Sequence, residues 1–291
     1  MFVLRGSALE RIWPRLLLTV AVAVVVTVID LYVGKFHGNL TPIPFSLIGL
    51  ALSIFLGFRN NTSYDRFWEG RKLWGGLVNS SRTITRQVTT LISDVDDATR
   101  DELVKRVIAY VHLLRLHLRD DPDHSELRSL LPADEFAALD REWNRPVYLL
   151  QRLGERFREL YDDGRIHALH LAQLDNTLTD MTNLQGACER IKSTPIPFTY
   201  NVLIHRIVAI YCFTLPFGLI HAIGGYTPVV VALISYAFFG LDAVGEQIED
   251  PFGLDPNDLP LGALSTLIER NLRQRMGETE LPPMPEGRFL T

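Results

Sequence analysis

The stretch IPFSLIGLALSIFLGF, residues 43–58, carries no charged side chain and runs straight into Arg59, Asn60 and Asn61. Within it Leu50, Ile54 and Phe58 stand four residues apart. In an α-helix each four-residue step turns the chain by only about 40° beyond a full turn, so the three share one face. Gly49, Ser53 and Gly57 repeat the spacing one position earlier and form a parallel stripe of small residues. Small residues at this spacing let helices approach closely in lipid. Several copies of such a helix, packed through the small stripe, would turn the large apolar stripe toward a common axis. That arrangement is a hydrophobic constriction, one of the ways ion flow is gated by dewetting. The same spacing also suits ordinary packing of both stripes within one hydrophobic helix.

Three further apolar runs accompany it: Leu16 to Val33, broken only by Asp30; Tyr200 to Ile220, which includes His205 and Arg206; and Tyr226 to Leu241. Gly224-Gly225 and Pro228 mark a turn between the last two. A bilayer core of ~30 Å calls for about 20 helical residues, a length that only the first run meets comfortably. The arrangement of charge adds what length leaves open. Arg5, Arg11 and Arg15 precede the first run, and Arg59, Arg66, Arg71, Lys72, Arg82 and Arg86 follow the second. Between those two runs, Gly34 to Pro42 carries only Lys35 and His37. Because Lys and Arg favour the cytoplasmic side, the chain is expected to start inside, cross four times and keep both termini inside. Trp13, Tyr32, Tyr200 and Tyr226 lie near the expected span ends, where aromatic rings favour the interface. No small-x-small cleavage site closes the first run, so it reads as a retained anchor rather than a secretory signal.

With 47% hydrophobic and 22% charged residues and a net charge of −5, the chain is not a strongly basic nucleic-acid binder. Its two cysteines, Cys188 and Cys212, form neither a disulfide framework nor a paired metal motif. The polar middle, Arg59 to Ser193, reads as helical. Asp101 to Arg119 keeps Leu103, Val107, Val111 and Leu114 at helical steps, and Glu135 to Tyr161 and Leu169 to Ile191 behave similarly. Pro122, Pro132 and Asp162-Asp163-Gly164 punctuate these helices. After Leu259, a stripe of Leu261, Leu264, Leu267, Ile268 and Leu272 predicts one amphipathic helix that needs a partner surface.

Motifs of enzymes are missing: there is no nucleophile elbow, phosphate loop, zincin helix or deaminase signature, and no enzyme activity is expected. His167 and His170 stand near one helical turn apart without a third ligand close by, and read as surface histidines. Asn61-Thr62-Ser63 has the form of a glycosylation acceptor, but its cytosolic placement makes that moot. A secondary transporter is the competing class, and would need ionisable groups well inside the spans. Here Asp30 and Asp242 fall at run ends, and His205 and Arg206 near the start of the third run.

The run Ile43-Pro44-Phe45-Ser46-Leu47-Ile48-Gly49, continuing through Phe55-Leu56-Gly57-Phe58-Arg59-Asn60-Asn61 to Tyr64-Asp65-Arg66-Phe67-Trp68-Glu69, resembles the second-span signature of the bestrophin family. Three more segments agree in order: Gly186 to Ile191, Thr194 to Tyr200, and Glu249-Asp250-Pro251-Phe252-Gly253 with Asn257-Asp258-Leu259-Pro260. The likeness covers nearly the whole chain and is closest to the bacterial branch. It implies an all-α integral membrane protein of the bacterial inner membrane, with four transmembrane helices per chain, a large helical cytosolic region and a homopentamer around a central pore. The expected parts are residues 1–58 with the pore neck, a cytosolic region 59–195, a second pair of spans 196–243 and a cytosolic tail 244–291.

In the family the neck is lined by the positions matching Leu50, Ile54 and Phe58, the face already singled out by spacing. A second, cytosolic aperture aligns with Leu169, with Ile166 as the fallback and plain core as the alternative role. Calcium-gated members carry an acidic cluster after the Pro-Phe-Gly segment. The corresponding Asp250, Asp255 and Asp258 are fewer, and Leu254 and Pro256 between them offer no side-chain oxygen. Calcium is therefore a possible but unrequired ligand, with turn and helix capping as the other role for these aspartates. The family's permeant ion is chloride or another monovalent anion. A monovalent-cation channel of the same architecture stands as the alternative, since an apolar neck has no charged ring. The expected partners are inorganic ions, further copies of the chain and the lipid bilayer.

Overall fold

The computed structural model describes residues 8–32 and 41–285. Arg5 and the connection from Gly34 with Lys35 and His37 lie outside the described residues, as do residues 286–291. Among the described residues the secondary structure is helical: α1 Ala8–Tyr32, α2 Pro42–Leu91, α3 Asp97–Leu118, α4 Ala133–Ala138, α5 Arg145–Asp162, α6 Ala168–Ser193, α7 Phe198–Ile223, α8 Thr227–Glu249 and α9 Leu261–Arg275. The extended backbone contributes one isolated bridge, Ile92 with Ile166. The all-α expectation holds.

The chain separates into two compact units, one of residues up to Phe67 with Pro195–Asp250, the other of Trp68–Thr194 with the residues from Pro251 onward. The first boundary falls inside α2, which runs without interruption for 50 residues. The apolar run that ends at Phe58 and the polar helix that follows are thus one element.

In the first unit α1 packs on α8 and α7, and α7 packs on α8. Ala23, Leu52, Leu56, Val208, Cys212, Leu215, Val231 and Phe239 form the core between them. Among the described residues three stretches are long and apolar enough to cross a membrane: Ala8–Tyr32, Pro42–Leu91 and Phe198–Glu249. The last is the pair α7 and α8 joined by a 3₁₀ turn at Gly224–Tyr226. Gly224 takes φ +52° and ψ −127°, a conformation open to glycine and strained for other residues, and this is what lets α7 end so abruptly. Thr227 donates its hydroxyl to the Gly224 carbonyl at 2.6 Å, and Pro228 opens α8 where no helical N–H is lost.

The second unit is built around α3, whose Leu103, Val107, Tyr110, Val111 and Leu114 are all buried. Asp96 caps α3 by accepting the Thr99 N–H at 2.9 Å. Helices α5, α6 and α9 pack on α3. The partner surface that the tail helix needed is therefore α3, and α9 buries Leu261, Ile268 and Leu272 while Leu267 stays exposed.

One expected helix is broken. Glu135 to Tyr161 is not continuous: α4 gives way to a 3₁₀ turn at Leu139–Arg141, and Glu142 is extended at ψ 128°. The reason is local chemistry. Asn144 accepts the Val147 N–H at 3.2 Å and Pro146 stands in the first turn of α5, a helix start that residues 142–144 cannot also continue through.

Candidate functional site

Along α2 the buried positions Gly49, Leu52, Leu56, Arg59 and Ser63 follow one another at steps of three and four residues, so a single face of the helix meets its own chain. The opposite side is left open. Leu50, Ile54 and Phe58 are 63%, 51% and 63% exposed. Within one chain, then, these three side chains are not core packing, and their apolar surface needs a cover other than water.

The small stripe divides. A Cβ placed on Gly49 would fall 2.6 Å from the Tyr211 hydroxyl, so Gly49 admits α7 of the same chain rather than a second α2. Tyr211 is held there by edge-on contact with Phe238, ring centroids 5.1 Å apart. Ser53 donates to the Gly49 carbonyl at 2.8 Å, and a Cβ on Gly57 would meet nothing within 4 Å. Ser53 and Gly57 thus remain open to a neighbour outside the chain.

Directly after Phe58 the structure assembles a cluster that sequence reading missed. Arg59 is 1% exposed, and its Nη1 donates to Asp242 Oδ1 at 2.6 Å. His205 Nδ1 lies 2.6 Å from the other oxygen, Oδ2. Asn60 Nδ2 reaches the Leu241 carbonyl at 3.1 Å, and Arg66 Nε the Glu249 carbonyl at 3.0 Å. Glu249 in turn accepts the Ile196 N–H at 3.0 Å and the Asn201 amide at 2.9 Å. These bonds tie α2 to α7 and α8, which is why residues 59–67 and 244–250 group with the apolar helices. Asp242 was read as the end of an apolar run. It is instead buried in mid-helix, because α8 continues to Glu249. The signal was present: an ionisable residue inside an apolar stretch calls for a named partner, and Arg59 is the nearest buried cation.

Leu169 is the second residue of α6 and is 70% exposed, so it is not core. Ile166, three residues earlier, is buried in the bridge with Ile92. His167 caps α6 by accepting the Leu169 N–H at 3.2 Å, and His170 Nδ1 lies 3.2 Å from the Leu91 carbonyl. Around the acidic segment, Asp258 Oδ2 accepts the Asp255 N–H at 2.7 Å and the Asp258 N–H donates to the Asp255 carbonyl at 3.0 Å. Asp250 stands separately, at the C-terminal cap of α8. Among the described residues no group of three or more His, Cys, Asp or Glu is placed to hold a metal ion.

The sequence profile of the bacterial and fungal bestrophin proteins matches residues 1–274. A voltage-dependent anion channel-forming protein of Ralstonia nicotianae is 43% identical over 278 residues, 95% of this chain and 91% of that one. Another, from Escherichia coli K12, is 37% identical over 281 residues, 97% of this chain and 92% of its own length. Among solved structures, a bacterial bestrophin homolog from Klebsiella pneumoniae superposes with a TM-score of 0.88 at 34% identity, covering 92% of this chain and all of that one.

Proposed function

This chain belongs to the bacterial and fungal bestrophin family, and from that premise we propose that it is an anion channel, conducting chloride or other monovalent anions passively through a pore closed by an apolar neck. The relatives' description as anion channel-forming proteins supports the choice of ion. The observation that carries the neck is the outward stripe of Leu50, Ile54 and Phe58 on a helix whose other face is buried.

One chain supplies one such face, so a closed ring of copies is required, and five is the number the family resemblance gives. In that ring the exposed Ser53 and Gly57 seat a neighbouring copy, and Leu169 lines a cytosolic aperture. Each chain crosses the inner membrane four times, through α1, the apolar part of α2, α7 and α8. Both termini and residues 59–195 lie in the cytoplasm. Cysteines introduced at Asp121 and Gly38 then label from opposite sides.

A narrow apolar passage holds water poorly, and an ion within it loses hydration that Leu and Ile cannot replace. Phe58 presents a ring edge of positive character, which favours an anion over a cation. One oxygen of Asp258 accepts the Asp255 backbone N–H, and Leu254 and Pro256 add no side-chain oxygen, so the segment offers few of the six to eight oxygens of a calcium site. Conduction accordingly needs no calcium, and chelation leaves it unchanged.

Recording from purified protein in planar bilayers tests the proposal. Unitary currents should reverse near the chloride equilibrium potential under a salt gradient. Reversal at the cation potential would replace the anion by a cation, and intact oligomers without unitary currents would remove the channel. The triple change Leu50→Ala, Ile54→Ala and Phe58→Ala should raise conductance and relax ion preference. Unaltered conductance and selectivity in an intact triple variant would take these residues out of the constriction.

A further inference from the structure

Several helix-surface arginines of the second unit are neutralised: Arg152, Arg156, Arg158, Arg190 and Arg273 each pair with a carboxylate. Three are not. Arg82 and Arg86 on α2 and Arg275 at the end of α9 line one cavity of about 550 Å³, together with Thr85, Thr89 and Asn271. No carboxylate lines it, and among the described residues none of the three arginines makes an ion pair. All three are exposed side chains on the wall of one cavity that has no carboxylate, so the wall carries a positive field that favours an anionic ligand.

The neutral groups of the lining are already occupied. Thr85 donates to the Ser81 carbonyl at 2.9 Å and Thr89 to the Arg86 carbonyl at 2.9 Å. The Asn271 amide donates to the Leu267 carbonyl, and its oxygen accepts the Arg82 Nη2 at 3.3 Å, bracing that guanidinium across from α9. Each guanidinium has five N–H donors, of which Arg82 spends one here. The cavity therefore offers many charged donors and little free acceptor capacity. Its complement is an acceptor-rich polyanion.

A guanidinium fork matches two oxygens of a phosphate, and three forks exceed what one phosphate or one halide engages. The volume falls within the range of small-ligand sites, about 300–1,000 Å³. We propose that this cavity between α2 and α9 binds a soluble polyphosphate, a small molecule with two or more linked phosphoryl groups. Arg82, Arg86 and Arg275 are its phosphate ligands.

Calorimetric titration of the full-length oligomer with pyrophosphate, in phospholipid-free detergent and 0.15 M chloride, tests this. Saturable binding is expected, weakened at least tenfold in Arg86→Gln and in Arg275→Gln and abolished in the double variant. The Arg86→Lys and Arg275→Lys double variant, which keeps charge and loses the fork, should bind with intermediate affinity. Arg158→Gln, on α5, should bind as wild type. Three outcomes overturn the proposal: no binding to millimolar pyrophosphate, which would also hold for a site serving a lipid headgroup or chloride; binding unchanged in the double Gln variant; or a wild type that does not bind while the double Gln variant loses its native oligomeric mass, which assigns the arginines to a contact between copies. None of these outcomes bears on whether the protein conducts anions.

Discussion

In the unit of α1, α7, α8 and the start of α2, side chains such as Leu17, Leu31, Leu47, Ile210, Val229 and Leu233 lie on the surface, while Thr19, Ser63, Ser235 and Asp242 are buried. In the unit around α3 the order is the familiar one, with Leu103, Val107, Leu114 and Leu153 inside and ion-paired helix surfaces such as Arg158–Asp162 outside. The same residue types are placed by the medium each unit faces. Against water, apolar area is driven inward at about 25 cal/mol per Å². Against lipid that drive vanishes, and close fit and internal hydrogen bonding hold helices together instead.

Among the described residues each unit also buries one arginine with a carboxylate, and the two pairs differ. Arg106 holds Glu135 with Nε and Nη2, at 2.9 and 2.6 Å, and shares Nη2 with Glu102 at 2.8 Å. Arg59 holds Asp242 through Nη1 alone, and its Nε and Nη2 have no hydrogen-bond partner among the described residues. A forked pair fixes geometry, whereas a single-nitrogen pair leaves room for the partner to be shared, as Asp242 is with His205.

Breaking either pair gives the largest expected effect. Glu135→Ala leaves Arg106 buried without its main counter-charge and should cost about 3–5 kcal/mol, read as a lower thermal midpoint of the purified protein. The joint change Arg106→Met with Glu135→Leu should recover most of that loss. Asp242→Ala should be damaging in the same range, but Asp242→Asn should cost less, because it keeps an acceptor for Arg59. Equal losses for Asn and Ala would show that charge rather than hydrogen bonding holds the first unit.

Glycine contacts sharpen the contrast between faces of the apolar helices at a smaller scale. A Cβ on Gly218 would fall 2.2 Å from the Phe45 ring, so Gly218→Ala must displace that ring and should cost about 1–3 kcal/mol. Gly57→Ala has open space within the chain, and its effect on the single-chain fold should stay within about 0.5 kcal/mol. A large side chain there, as in Gly57→Leu, should instead lower the yield of intact oligomers.

Acid should act mainly on the water-facing unit. Burial alone would raise the Glu269 carboxyl, but the hydrogen bond from His112 at 2.9 Å and the Arg273 guanidinium at 2.7 Å override it, holding the group below its ordinary 4.5. A depressed carboxylate contributes stability that is present above its unfolded value and is lost as pH falls through the folded one. Melting curves should therefore weaken below about pH 4.5, with a shallower acid limb in Glu269→Gln. The smallest effect is kinetic. Burial, aided by Glu189 and Glu69, pushes the Cys188 thiol up to about 12, so at pH 8 it should alkylate slowly in folded protein and rapidly once the second unit is unfolded.

Much of this molecule follows from local pattern. The apolar runs, the turn at Gly224, the amphipathic tail helix and the common face of Leu50, Ile54 and Phe58 are set by spacing along one helix, which the 3.6-residue repeat fixes whatever else the chain does. Tertiary structure alone decided which neighbour each face meets. Gly49 and Gly57 are equivalent by spacing, yet one is filled by Tyr211 and the other is open. Arg59 and Asp242 are 183 residues apart, and Arg82 and Asn271 are 189. Nothing in a helical repeat links such positions. They meet because packing brings distant turns of α2, α8 and α9 within hydrogen-bonding reach, and buried charges and donors then select the partners that satisfy them.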